Sequence, residues 1–589
     1  MTIDVDIGVP QRLTHLPLVV DVLRRTGLLN IIDHAVRDDK RSKVSTSDCV
    51  SVILCAVFLG HHDLWRMSDR LAPYDMATIM RDPGFRIAEF PEERLAKALD
   101  DLYRAGLDKM MTALSLQAIE QFRINTDFLH FDTTSLSFFG AMEREDFGSM
   151  SDGISPPPII TYGHSKDHRP DLKQIMFGTL VSCDGGVPLY GQGLDGNASD
   201  SVSAAQFFAR VRSLVRDPRA VCCVADSKGW CARVLSVVQN ERLRLLSRLP
   251  RNHRLHQSLM ARPWTSPRRI ERSAPSAGAE PDFYEIIGDD VEEELAIERP
   301  DEKPGKPARR EILRVPARAV RVFSSALLRQ KLSTLGRIRE REQRTTTKCI
   351  RDWQARAYAC EDDARRAAER HCSQSEFVTV DVIAHVTAVT GPFKRGRGRP
   401  RKNPEPAMLT SHYRVTYATK AVSEKISERR LRDQATFILI RTRSKGWTID
   451  DAEMIERYKG QFHNEQGFAW LKSGQGINPI FLVTPKRIAS LCFLYVVGLM
   501  IWSLIQRTVR ANLKSSGKML PYRRNKPSNR ITTRFLFELF PSVQTVPFTI
   551  GGGPKQKKLV GLTDVLQTAC NALGTRLTEF APVLENSRR

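Results

Sequence analysis

From Asp127 to Pro250, strand-type and helix-type patterns follow one another in an order that few folds accept. Phe128, His130, Asp132, Thr134 and Leu136 alternate with Leu129, Phe131 and Thr133, which predicts a central strand with Asp132 facing out of the sheet. IMFGTLVS and VPLYG are two β-rich runs joined by Asp184, Gly185 and Gly186, and so read as a hairpin. SVSAAQFFARVRSLV reads as a helix with Asp200 as its N-cap. AVCCVAD is then a strand ending at Asp226, CARVLSVVQN a helix, and RLRLLSRLP a further strand. In a parallel pair, mid-strand Asp132 and strand-end Asp226 would be close in space.

Three antiparallel strands, helix, strand, helix, strand is the order of the ribonuclease H-like fold. A third acidic residue, Glu465, sits inside ERYKGQFHNEQGFAWLKS, a helix that opens at Asp450 or Asp451 after the short strand ATFILIRT. Two carboxylates at strand positions and one on a helix are what it takes to hold a pair of hard divalent cations over a phosphodiester. The gap from Asp226 to Glu465 is more than twice that from Asp132 to Asp226, so a whole domain reads as inserted. Its first part (262 to 312) has little periodicity and is expected to be loop-like, its middle (about 323 to 373) is charged and helical, and FVTVDVIAHVTAVT with HYRVTYATK forms a β pair.

The expected fold is therefore α/β: a ribonuclease H-like mixed sheet interrupted by a large α+β insertion and preceded by a helical N-terminal domain. The expected boundaries are 1–120 for the helical domain, 121–255 and 431–515 for the two parts of the catalytic domain, 256–430 for the insertion, and 516–589 for a basic, helical C-terminal region. In the first of these, LPLVVDVLRRTGLLNIIDHAV repeats apolar residues at helical spacing, a second helix opens at Ser45 or Ser47, and FPEERLAKALDDLYRAGL ends a third at Gly106. Such a domain could read DNA in a groove or serve dimerisation. IASLCFLYVVGLMIWSLI (488 to 505) carries no charge and is at the lower edge of a membrane-spanning length, but it stands alone and is expected to be a buried helix covering a sheet. The start MTIDVDIGVPQR carries acid and no apolar core, so no secretory signal is expected.

Ninety Lys and Arg against 67 Asp and Glu leave a net charge of +23, which makes a polyanion the expected partner and favours nucleic acid over a membrane surface. Eleven cysteines show no C-x-x-C pair and no zinc spacing, which fits free thiols in a reducing cytoplasm. Within the insertion, GPFKRGRGRPRKNPEP carries Lys394, Arg395, Arg397, Arg399, Arg401 and Lys402 around Gly398-Arg399-Pro400. It resembles an AT-hook, a flat segment that lies in the narrow minor groove of A·T-rich DNA.

On a continuous helix Tyr458, Gln461, Glu465 and Lys472 share an arc of about 60°, a face too polar for core. These residues resemble the DDE transposases of bacterial insertion sequences, in the branch carrying Tyr-x2-Arg-x3-Glu-x6-Lys, with Gln461 where that pattern has Arg. ITYGHSKDHRPDLKQIMFGTLVSCDGGVPLYGQGLDGNASD also resembles that branch, and the likeness covers about 127 to 510. The resemblance implies that Asp132, Asp226 and Glu465 hold two Mg²⁺ ions, with Mn²⁺ as a substitute. It further implies cleavage at element ends, joining of 3′ ends to target DNA, and a grip on end DNA by Tyr458 and Lys472. Double-stranded DNA is the expected partner and a homodimer the expected state, in the bacterial cytoplasm at the nucleoid; neither a membrane nor a small-molecule substrate is expected. Lys166 and Arg169, with His164 and His168, either contact DNA or order the hairpin, while Trp230 and Trp470 read as packed aromatics before base-stacking ones. A nuclease or resolvase without strand joining, and a transposase-derived DNA-binding protein without catalysis, are the alternatives.

Overall fold

The computed structural model describes residues 5–61, 63–138, 155–272, 281–299, 309–372, 375–392, 409–473, 480, 482–522, 526–553 and 555–580. They fall into two compact units, one of Met1–Pro250, Asp290–Ala319 and Leu439–Arg589, the other of Arg251–Asp289 and Val320–Ile438.

The first unit is mixed α/β. Its sheet contains β1 (Phe128–Phe138), β2 (Lys173–Ser182), β3 (Pro188–Leu194), β4 (Cys222–Ala225) and β5 (Arg244–Arg248), in the order β3-β2-β1-β4-β5. β2 runs antiparallel to β1 and β3, and the tight turn at Asp184–Gly186 reverses the chain between β2 and β3. β4 is parallel to β1 and β5 parallel to β4, which requires crossovers. Helices Asp200–Leu214 and Ala232–Asn240 supply them. Beyond β5, Leu439, Ile440 and Arg441 of strand Thr436–Thr442 pair antiparallel with Arg248, Ser247 and Leu246.

The described part of the segment 262 to 312 is not loop-like. It contains strands Arg268–Glu271 and Phe283–Arg299 and the start of Arg309–Ser324. Leu313, Val315, Ala317 and Ala319 are buried at every second position, and Tyr284 and Ile286 likewise. Their period of two is hidden by charged residues on the opposite face.

At the N-terminal end the long apolar-periodic run divides at Gly27, whose φ of +75° starts a new helix, giving Leu16–Arg25 and Leu28–Ala35. Thr46–Phe58 follows Ser45, whose side chain and Asp48 form a reciprocal capping box. Glu92–Ala105 ends at Gly106 as expected. Pro485–Ser515 is long and apolar enough to cross a membrane, yet 89% of its most apolar window is buried within the protein. It lies on β3 and on Glu92–Ala105, where Ser490 donates to the Leu99 carbonyl at 2.7 Å. Gly191 makes that possible: a Cβ there would stand 2.6 Å from Val496 Cγ2. The described residues of 516–589 are less helical than expected. Beside helices Thr533–Phe537 and Asp564–Leu573 it holds the ribbon Gln544–Ile550 and Gln556–Val560, which pairs with the N-terminal strand Val5–Ile7.

The second unit carries helices Ser325–Gln354 and Glu361–His371 and the antiparallel pair Val378–Pro392 and Leu409–Ala421. Ile350, Trp353, Ala364, Ala368, Val380, Val415 and Tyr417 form its own small core. The connection of that pair, with Lys394, Arg395, Arg397, Arg399, Arg401 and Lys402, lies outside the described residues.

Candidate functional site

The parallel register of β1 and β4 pairs Phe128 with Cys222, Leu129 with Cys223 and His130 with Val224. Two places further along, Asp132 stands level with Asp226, the first residue beyond β4. Burial pushes the Asp132 carboxyl above the ordinary carboxylate range; Lys166 opposes the shift, and the charges of Asp226 and Asp200 add to it. Asp226 is raised in the same way, by burial first, with the Lys228 amide opposing and Asp200 adding. Its Oδ1 caps the turn Ser227–Gly229, accepting from the Lys228 amide at 2.9 Å, and its carbonyl accepts from Ser247 Oγ at 2.6 Å.

Asp200 belongs to the same group and was not foreseen there. Ser199, not Asp200, is the N-cap of the helix that follows, accepting from the Val202 amide. Asp200, free of that duty, accepts from Thr133 Oγ1 at 2.7 Å and from Lys228 Nζ at 2.6 Å. Burial raises its carboxyl, but those two hydrogen bonds and the charges of Lys166 and Lys228 outweigh it and hold the group below the usual range. The topology contains the signal. A helix leading into a strand of a parallel pair runs back along the sheet, so its first residue lies at the edge where that strand ends.

Of the basic residues at 164 to 169, Lys166 is the one placed on the pair. Its Nζ donates to the Thr133 carbonyl at 2.6 Å and to Thr133 Oγ1 at 2.8 Å, and stands 3.5 Å from Asp132 and 3.8 Å from Asp200. Arg169 instead pairs with exposed Asp171. Lys472 reaches the same loop, its Nζ 2.6 Å from Asp167, which also accepts from Ser135 Oγ.

The helix expected across 451–472 is interrupted at Gly460 and Gln461, giving Asp451–Lys459, capped by Asp450, and Phe462–Lys472. The break lies on β1: a Cβ on Gly460 would stand 2.6 Å from His130 Cε1 and 2.7 Å from Nε2. His130 is fully buried with neither ring nitrogen partnered, and burial, then the charges of His463 and Arg457, pulls its pKa down to about 3. Asn464 ties the second helix down, donating to the His130 carbonyl at 3.1 Å and accepting from Thr179 Oγ1 at 2.8 Å. Gly460→Ala is therefore expected to cost about 1–3 kcal/mol by overpacking, read as a shift in denaturation midpoint. An unchanged midpoint would mean that the helix break does not need this close approach.

Tyr458 faces the acids. Burial pushes its phenol up to about 12, Arg248 opposes, and the charges of Asp226, Asp132 and Glu465 add. Glu465 itself is exposed, and among the described residues no three His, Cys, Asp or Glu side chains converge closely enough to hold a metal ion. The structure thus brings Asp132 and Asp226 together, adds Asp200, and places Tyr458 within the electrostatic reach of Asp132, Asp226 and Glu465. Gln461 Nε2 is buried without a hydrogen-bond partner. Trp230 and Trp470 are packed, at 2% and 7% exposure, Trp470 against Phe58 and Trp502. Cys222 and Cys223 are buried free thiols.

Residues 9–116 match a family described as a domain of unknown function (DUF4277). No curated protein matches the chain. Among solved structures, the chain is similar to a piggyBac transposase synaptic complex with hairpin DNA, at 10% identity over 91% of this chain and 83% of that one, with a TM-score of 0.36. It is also similar to a pre-cleavage Mos1 transpososome, at 10% identity over 36% of this chain and 61% of that one. A Mos1 paired-end complex with the left transposon end matches at 11% identity over 38% and 64% of the two chains; both Mos1 matches have a TM-score of 0.14.

Proposed function

We propose that the chain is a DNA transposase of the DDE type, with a ribonuclease H-like core, that cleaves the ends of an insertion sequence and joins the 3′ ends to target DNA. The observation that carries the reading is the level placement of Asp132 and Asp226 on parallel strands, with Tyr458 facing both and Glu465. Adjacent, partly buried carboxylates repel each other, and oxygen donors of that kind suit a hard divalent cation. Asp132 and Asp226 would hold it, with Glu465 as the third donor of the proposal. When bound, Mg²⁺ or Mn²⁺ supplies Lewis-acid polarisation of the phosphodiester.

The remaining roles belong to the chain's own groups. Tyr458 stays protonated at neutral pH, since its phenol is pushed up to about 12, and so can donate to a phosphate oxygen. Gln461 brings an unpartnered Nε2 donor to the same end of the helix, where the resembling family has a charged guanidinium. Lys472, anchored by Asp167, and Lys166, beside Asp132, are the cations of the proposal for DNA contact, and the net charge of +23 supplies sequence-independent attraction. Phosphoryl transfer by in-line displacement needs no covalent intermediate on the protein. Action at two ends makes a homodimer at the nucleoid part of the proposal.

One observation favours a second reading, a DNA-binding protein derived from such an enzyme but without catalysis: among the described residues no three His, Cys, Asp or Glu side chains gather closely enough to hold a metal ion. An assay with Mg²⁺ and supercoiled DNA bearing candidate element ends separates the readings. Cleavage with a joined product supports transposition, cleavage alone supports a nuclease, and retention without cleavage supports the binder. For the AT-hook-like segment, Arg397→Ala with Arg399→Ala is expected to weaken retention and to reduce the log–log salt slope by about one to two. An unchanged slope would remove the minor-groove contact.

A further inference from the structure

Five charges meet beside β1: the carboxylates of Asp132, Asp226 and Asp200 and the ammonium groups of Lys166 and Lys228. Together they leave one net negative charge. Asp200 links them, since it takes Lys228 at 2.6 Å and Thr133 Oγ1 at 2.7 Å while competing with Asp132 for Lys166. Its side chain is 13% exposed, so solvent screens these interactions weakly. Lys166 is shared, anchored on Thr133 and standing 3.5 Å and 3.8 Å from the two acids; among the described residues these are its carboxylate partners.

We infer that Asp200 and Lys166 are opposed positioning residues that set how strongly the Asp132–Asp226 pair takes up a divalent cation. The inference rests on the reading of that pair under Proposed function. Asp200 lowers the local charge and draws Lys166 away from Asp132, so it favours the cation. Lys166 is an internal counter-ion that the cation must outcompete. A purely structural role would make loss of either residue harmful in the same sense. Charge balance makes the two losses opposite, because one takes the group to neutrality and the other to two net negative charges.

The test uses the full chain and Mn²⁺ as the probe, following unfolding temperature against cation concentration and counting bound ions by the loss of the free Mn²⁺ paramagnetic signal. Asp200→Asn is expected to raise the half-saturating concentration roughly tenfold and Lys166→Gln to lower it by a similar factor. The double variant should return near the wild type, and Asp200→Glu, which keeps the charge, should rescue most of the loss. Shifts of the same sign, or lowered stability without any change in half-saturation, would overturn the inference while leaving the pair's role intact. If the wild type takes up no Mn²⁺, or Asp226→Asn takes up as much as the wild type, the reading of the pair fails and the inference fails with it.

Discussion

Asp226→Asn is expected to abolish Mg²⁺-dependent strand cleavage, by about a thousandfold or more, while DNA retention on a filter stays nearly unchanged. The size follows from the chemistry. A bound cation contributes several kcal/mol of charge stabilisation in phosphoryl transfer, and each 1.36 kcal/mol is about a factor of ten in rate. Asn is nearly the same size as Asp and its side-chain oxygen can still accept from the Lys228 amide, so the turn Ser227–Gly229 should survive. Cleavage that persists at a substantial rate in this variant would take the chemistry away from the aspartate pair.

Lys557→Met should lower stability by about 3 kcal/mol, read from the urea midpoint at neutral pH. Asp75 is 2% exposed and holds Lys557 Nζ at 2.8 Å, with Thr545 Oγ1 at 2.6 Å and Thr78 Oγ1 at 2.8 Å. Methionine keeps the bulk of the stem but leaves a buried carboxylate served only by the Thr545 and Thr78 hydroxyls and the Thr78 amide. The ammonium is itself about a third exposed, which places the cost at the low end for a broken buried pair. Burial acts to raise the Asp75 carboxyl, but its hydrogen bonds to Lys557, Thr545 and Thr78 outweigh it and hold the group below its ordinary value. A depressed folded-state pKa means that the stabilisation is present above the unfolded value near 3.8 and is lost as pH falls through the folded one. The variant should therefore lose most at neutral pH and converge with the wild type in acid. A midpoint equal to the wild type's at pH 7 would show that the hydroxyls and the Thr78 amide suffice.

The core of the fold was legible where one period dominated a segment. FLHFDTTSLSF, IMFGTLVS and AVCCVA became strands, and the uncharged stretch at 488 to 505 became a buried helix. Reading failed where charge covered the period, as in Phe283–Arg299, where buried Tyr284 and Ile286 are followed by Asp289, Asp290, Glu292, Glu293 and Glu294. It failed again where a long-range contact broke a local rule. Nothing near Gly460 in sequence announces His130, yet the closeness of that ring fits the interruption of the helix that carries Tyr458 and Glu465.

What this chain's sequence determined alone was a set of periodicities and caps, since these depend on neighbours within a few residues, and with them the strand identities of Asp132 and the position of Asp226 just past a strand. Tertiary structure alone decided which charges share a space: that Asp200 leaves the helix cap to Ser199 and joins the aspartates, that Lys166 rather than Arg169 faces them, and that Tyr458 feels the charges of both aspartates and of Glu465. Electrostatic neighbourhood is set by distance through the fold, and residues far apart along a chain carry no local mark of it.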